Sequence, residues 1–208
     1  MEKKETAIER QSRVQRMGRE WEDYVESFLL DKLRGTGLTV IKGDKVVRNT
    51  PLWRKLSIPT KASTAQESLW GDIDIVILKD DIVVAVVSCK LSLHGRFTET
   101  LFYGLLFRMW SRTKFVLVTP DAGRGQKGTV WKSEWGTPEK PTKDRMLAES
   151  YLAAVYVENL EKFCPKKKPN ECTSFGGIVR HIEELPEDLK QWANEDSKFI
   201  YTGKQKAL

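Results

Sequence analysis

The chain has 208 residues, 40% of them apolar, which is enough for one well-filled core and too little for two full domains. Its formal charge of +6 favours polyanionic partners. No apolar run approaches the roughly 20 residues that span a bilayer, and Cys89, Cys164 and Cys172, with no secretory leader ahead of them, fit a reducing cytoplasm and neither a disulfide framework nor a four-ligand zinc knuckle.

Over residues 5–33, Val14, Met17, Trp21, Val25, Phe28 and Leu33 recur at three- and four-residue steps, which predicts one amphipathic helix stopped by Gly35. Arg10, Arg13, Arg16 and Arg19 fall three apart on the same helix, a positive edge that is either a solvated face or a seat for phosphates. Residues 39–47 read as a strand, and a loop comes next that is basic at Arg48, Arg54, Lys55 and Lys61 and carries Pro51 and Pro59. Residues 72–78 and 82–89 are β-branched runs about Lys79-Asp80-Asp81, a predicted hairpin whose nearly continuous apolar content implies cover on both faces. Residues 97–110 have helical periodicity with Phe97, Leu101, Leu105 and Met109 on one side, and 114–119 is another strand. Residues 123–141, rich in Gly, Pro and Lys, read as a surface loop before a strand near 153–157. From Phe175 onward short helices are expected, one of them starting at Leu185-Pro186-Glu187. The expected class is α/β (α+β), a central mixed sheet flanked by helices, in one domain over 1–208. Its core would span about 14–160, with recognition or dimerisation elements over 161–208.

Asp72, Asp74, Ser88 and Lys90 are the polar residues that punctuate the two apolar strands, and buried strands rarely carry unpaired charge. Side chains two apart share a face, so Asp72 goes with Asp74 and Ser88 with Lys90. The turn decides whether the pairs meet. A two-residue turn at Asp80-Asp81 separates them, whereas a three-residue turn, or a bulge that restores the parity, unites them. If they converge, the carboxylates suit magnesium, and the Lys90 ammonium could orient a water and offset charge on a phosphate.

The pattern of an aspartate on one strand, followed on its antiparallel neighbour by an acidic residue, any residue and a lysine, marks the PD-(D/E)xK nuclease superfamily, which these two strands resemble. The first half lies in Gly71-Asp72-Ile73-Asp74-Ile75-Val76-Ile77 and the second in Val86-Val87-Ser88-Cys89-Lys90. The resemblance covers residues 18 to about 120 and implies a restriction-endonuclease-like core. It assigns metal binding to Asp74 with Asp72 in reserve, and the catalytic lysine to Lys90. Ser88 stands where the second carboxylate is usual, as in restriction endonucleases with Ser-x-Lys, which draw that carboxylate from the following helix; Glu99 is the counterpart here. The resemblance also implies Glu22, in Gly18-Arg19-Glu20-Trp21-Glu22, near the metal through water, and counts Cys89 among the metal-binding positions. The run Ser92-Leu93-His94-Gly95-Arg96-Phe97-Thr98-Glu99-Thr100 looks like restriction enzymes in particular. The likeness implies a type II restriction endonuclease of a prokaryotic cytoplasm, dependent on Mg2+, acting on double-stranded DNA as a homodimer. Candidate DNA contacts are Arg48, Arg54, Lys61, Arg96, Arg124, Lys127 and Lys132. The alternatives are a structure-specific repair nuclease or junction resolvase, and a DNA-binding protein whose site has decayed at Ser88.

Other motifs fail on context. Gly123-Arg124-Gly125-Gln126-Lys127-Gly128 comes after a strand, but Gly136 and Pro138 interrupt the helix that a dinucleotide site needs, and Thr129 stands where a P-loop has lysine. Lys166-Lys167-Lys168 reads as a solvated turn. With His94 and His181 the only histidines, a Ser/His/Asp triad or histidine metal cluster lacks parts.

Overall fold

The computed structural model describes residues 6–58, 69–93, 96–121, 123, 133–158 and 175–204. The first helix, α1 (Ala7–Lys32), opens with a reciprocal cap: the Thr6 hydroxyl accepts from the Glu9 amide and the Glu9 carboxylate accepts from the Thr6 amide. Its inward face is Trp21, Val25, Leu29 and Leu33. Upstream of Trp21 no described residue of the helix is buried, so Val14 and Met17, expected on the core stripe, are exposed instead. The periodicity continues past the end of the surface it packs on.

Strand β1 (Leu38–Lys42) stops five residues short of its predicted end, because Gly43–Lys45 forms a 3-10 turn. The expected basic loop contains α2 (Pro51–Leu56), which Thr50 caps by accepting from the Trp53 amide and which Pro51 starts with its fixed φ and absent N–H. Ser57–Ile58 (β2) then pairs with Leu69–Trp70 (β3) in a small separate ladder.

The main sheet adds β4 (Ile75–Lys79), β5 (Ile82–Cys89), β6 (Lys114–Thr119), β7 (Ala154–Val157) and β8 (Val179–His181), in the spatial order β1-β4-β5-β6-β7-β8. β4 is antiparallel to both of its neighbours, β1 and β5, and β5 through β8 run parallel. The crossovers are α3 (Phe97–Trp110) and α4 (Lys143–Tyr151), both on one face because successive right-handed connections advance in the same direction. That face buries Val76, Leu78, Val86, Leu117, Phe97, Leu101 and the fully buried Trp135. The other face, with Ile75, Ile77, Val87, Val116 and Tyr156, is covered by α1 and by α5 (Leu185–Lys204) through Leu185, Leu189 and Ala193. The sheet is therefore the predicted mixed one with helices on both sides.

Several elements differ from expectation. β4 begins at Ile75, so Asp72 and Asp74 lie on the segment leading into it. On α3 the buried positions are Phe97, Thr100, Leu101, Gly104 and Phe107, with Met109 exposed. A Cβ at Gly104 would stand 2.9 Å from the Tyr151 carbonyl oxygen, so glycine lets α3 settle against the end of α4. Helix α4 and strand β8 were not foreseen, and α5 is one 20-residue helix rather than several short ones. β8 and α5 complete the sheet and its core. Among the described residues no helix is long and apolar enough to cross a membrane.

Candidate active site

The β4–β5 hairpin has the two-residue turn, with Lys79 opposite Ile82, which by parity alone sends the two polar pairs to opposite faces. A bulge reverses that outcome. Leu78 pairs with Val83, but Ile77 pairs with Ala85, so Val84 is the extra residue, and the register then runs Val76–Val86 and Ile75–Val87. Val84 and Ala85 both face the α1 side, whereas Val83 and Val86 face the α3 side. From the bulge onward, Ser88 and Lys90 share the face of Asp74 and Asp72.

The four side chains meet. Lys90 Nζ lies 2.8 Å from Asp72 Oδ2 and 3.1 Å from Asp74 Oδ2, and Ser88 Oγ makes a long contact of 3.4 Å to Asp72 Oδ2. The Cys89 amide donates to Asp74 Oδ2 at 2.5 Å. Two backbone contacts hold the segment that carries the aspartates: Asp74 N–H donates to the Val87 carbonyl at 3.2 Å, and Gly43 N–H donates to the Asp74 carbonyl at 2.8 Å. Gly43 is itself a requirement, since a Cβ there would fall 1.9 Å from the Ile73 carbonyl oxygen. The glycine inside a predicted strand was the signal that two backbones approach closely at this point. Trp21, a core position by its helical spacing, also has a part in the site. Its indole Nε1–H donates to the Val118 carbonyl at 3.3 Å, and the same oxygen accepts the Lys90 amide at 3.0 Å, so α1 is fastened where Lys90 leaves the sheet.

Burial raises the Asp74 carboxyl above its ordinary range; Lys90 opposes the shift and Asp72 adds to it. For Lys90, burial works toward the neutral amine, but Asp74 and Asp72 outweigh it and hold the ammonium charged. Glu22, half-buried on α1, is raised by burial and then by the charge of Asp74, with Lys42 and Lys90 pulling the other way. Three carboxylates thus share the field of one buried cation.

The remaining expected residues fall in different places. The Cys89 thiol packs in the α1-side core, where burial and then Asp74 push it well above its usual range. Its side chain points away from the face that carries Asp72 and Asp74, and a thiol is not the oxygen ligand that magnesium prefers. Glu99 is exposed in the first turn of α3, where it complements the helix dipole, and it is not among the charges that shift Asp74 or Lys90. Arg54 belongs to the other end of the sheet: its neighbour Lys55 donates to the Asp81 carbonyl at the hairpin tip, about 20 Å along the strand from Asp74. This removes Arg54 from the surroundings of the carboxylates. Arg48 is exposed with its guanidinium 5.8 Å from the centre of the Trp53 ring, and Arg96 is exposed just before α3, on the site side. Lys61, His94, Arg124, Lys127 and Lys132 lie outside the described residues.

Magnesium would take one or two carboxylates, with waters and a substrate phosphate completing its shell. The donor set here fits. Among the described residues, the side-chain bonds of Asp72 and Asp74 all fall on Oδ2, which leaves Oδ1 of each for another partner. No three His, Cys, Asp or Glu side chains among the described residues form a ready-made cage.

This architecture is similar to that of the AgeI restriction endonuclease, solved in complex with DNA, at a TM-score of 0.61 and 16% identity over 90% of this chain and 70% of that one. It is also similar to the PspGI restriction endonuclease, solved with substrate DNA, at a TM-score of 0.51 and 15% identity over 89% of this chain and 65% of that one. The fold is that of the restriction endonucleases. No curated protein matches the sequence. Residues 46–180 match the family described as BsaWI restriction endonuclease type 2, and the chain belongs to that family, whose members are DNA-cleaving hydrolases.

Proposed function

We propose that this restriction endonuclease hydrolyses phosphodiester bonds in double-stranded DNA at a short specific sequence, in a magnesium-dependent reaction centred on Asp74, Asp72 and Lys90. The observation that carries the reading is the Lys90 ammonium held between two carboxylates on one face of the hairpin. Bound magnesium would supply charge neutralisation at the scissile phosphate and a lowered pKa for an attacking water. Asp74 would hold the metal, and Asp72 would be its second ligand or, through Ser88 and Lys90, the group that orients the lysine. Lys90, kept charged by the aspartates, lines up the water and offsets charge that builds on the transferring phosphoryl group. Glu22, within the field of Asp74 and Lys90, would act on the same metal through water. Glu99 remains the candidate for the carboxylate missing at Ser88 only if α3 brings it inward on substrate binding. Among the described residues each chain has one such site, so cutting both strands calls for two copies, and a homodimer is the assembly proposed. Arg48 and Arg96, with Lys61, Arg124 and Lys127, are its proposed DNA contacts; the work is done in a prokaryotic cytoplasm.

The test is incubation with plasmid DNA and Mg2+. Discrete fragments support the reading. A smear, or cleavage confined to branched substrates, would favour a structure-specific nuclease, and intact DNA that is nevertheless bound would favour a decayed site.

A further inference from the structure

The first half of α1 has no role in the core. Val25, Leu29 and Leu33 pack back across the sheet from Trp21, and Trp21 is fixed at the Val118 carbonyl beside Lys90. The helix upstream of Trp21 therefore leads away from the sheet at the end that carries the carboxylates. It runs on from Glu20 to Ala7, about 20 Å of helix, in which no described residue is buried. That length holds Arg10, Arg13, Arg16 and Arg19, all exposed, against Glu9 and Glu20. Glu9 is engaged in the helix cap, Arg16 pairs with Glu20 at 3.8 Å with both side chains largely solvated, and Arg13 Nη1 lies 3.7 Å from Met17 Sδ.

We propose that this half of α1 is an arm that lies along the DNA backbone beside the cleavage site, its four arginines holding phosphates. The proposal rests on the nuclease reading of the site and adds a binding surface to it. Charge and placement favour this occupant: residues three apart turn by 60° per step, so the arginines wind around half of a projecting helix and can follow a curved line of phosphates. An exposed apolar pair, Val14 and Met17, lies on the Trp21 side of the arm, and a second copy of the chain is the rival occupant.

The experiment is a salt series of binding to a fluorescein-labelled, mixed-sequence duplex in EDTA, with the full chain. It compares wild type, a variant with Arg10→Gln, Arg13→Gln, Arg16→Gln and Arg19→Gln combined, and the same four changes to Lys. Each lost phosphate contact lowers the slope of log K against log salt by about 0.9. The expected result is a loss of about two to four in slope for the glutamine variant, a near-wild-type slope for the lysine variant, and an unchanged Tm for both. A glutamine variant with the wild-type slope overturns the proposal while leaving plasmid cleavage by the wild type as evidence for the nuclease. So does a Val14→Ser/Met17→Ser variant that halves the sedimenting mass while the glutamine variant keeps the wild-type slope. Wild type that neither binds the duplex nor cuts plasmid overturns both readings.

Discussion

The burial of Asp74 works against its ionisation. Its raised pKa means that the folded state binds the proton more tightly than the unfolded chain does, so folding is favoured at low pH and loses that increment as pH rises through the folded pKa. Above that pKa the ionised group destabilises the metal-free protein. Asp74→Asn should therefore raise the Tm in EDTA at neutral pH, and the gain should shrink on acidification and vanish below the ordinary aspartate value. Magnesium should raise the Tm of the wild type and not of this variant, by mass action on the folded state. Thermal melts across pH, with and without the metal, measure both effects; a variant less stable than wild type in EDTA at pH 7 would contradict this electrostatic account. The residue types of this site were legible in the sequence because charge on apolar strands needs a partner. Cys89 was not, because a motif position says nothing about which way a side chain points, and alternation along β5 turns Cys89 away from its two neighbours.

At the scale of elements, two backbone devices set the site. The bulge at Val84 was foreseen only as a condition: the turn residues allowed either parity, and nothing in a run of valines marks which of them is left unpaired. Gly43 is the second device. Gly43→Ala would force the Ile73 carbonyl away and shift both aspartates, so cleavage should fall by about 100-fold or more, the scale of misplacing a catalytic group by about 1 Å, with DNA binding retained. Single-turnover cleavage assays report this, and wild-type rates would show that the close approach is dispensable. Trp21→Phe removes one hydrogen bond to Val118 without orphaning that carbonyl, which keeps Lys90 as a donor. It should lower the unfolding free energy by about 1 kcal/mol plus the loss of ring contacts, as urea denaturation would measure. The elements foreseen best, α3 and β6, have strong periodicity and clear ends. α4 was missed because its cap, Thr142, comes after a stretch of Gly and Pro that reads as loop, and β8 because three residues carry no period.

Across the whole molecule, the order helix, strand, hairpin, helix, strand was legible from hydrophobic patterning and the turn residues between the runs, and the observed element order agrees with it. The packing of α1 was legible only where it meets the sheet; its apolar stripe continues over a length that packs on nothing described, and periodicity cannot say where a surface ends. A homodimer would place two hairpins on one duplex, and sedimentation of the chain with and without DNA should give twice the monomer mass; a monomer in both conditions would contradict that assembly. In the proposed reaction Lys90 and the two aspartates act as one catalytic unit on a phosphate. The most direct measurement is the single-turnover rate of duplex cleavage by Lys90→Ala and Asp74→Ala in Mg2+, alongside their affinity for the same duplex in Ca2+. The expected result is a loss of about 100-fold or more in rate with affinity within a few-fold of wild type. Cleavage by either variant at the wild-type rate would contradict it.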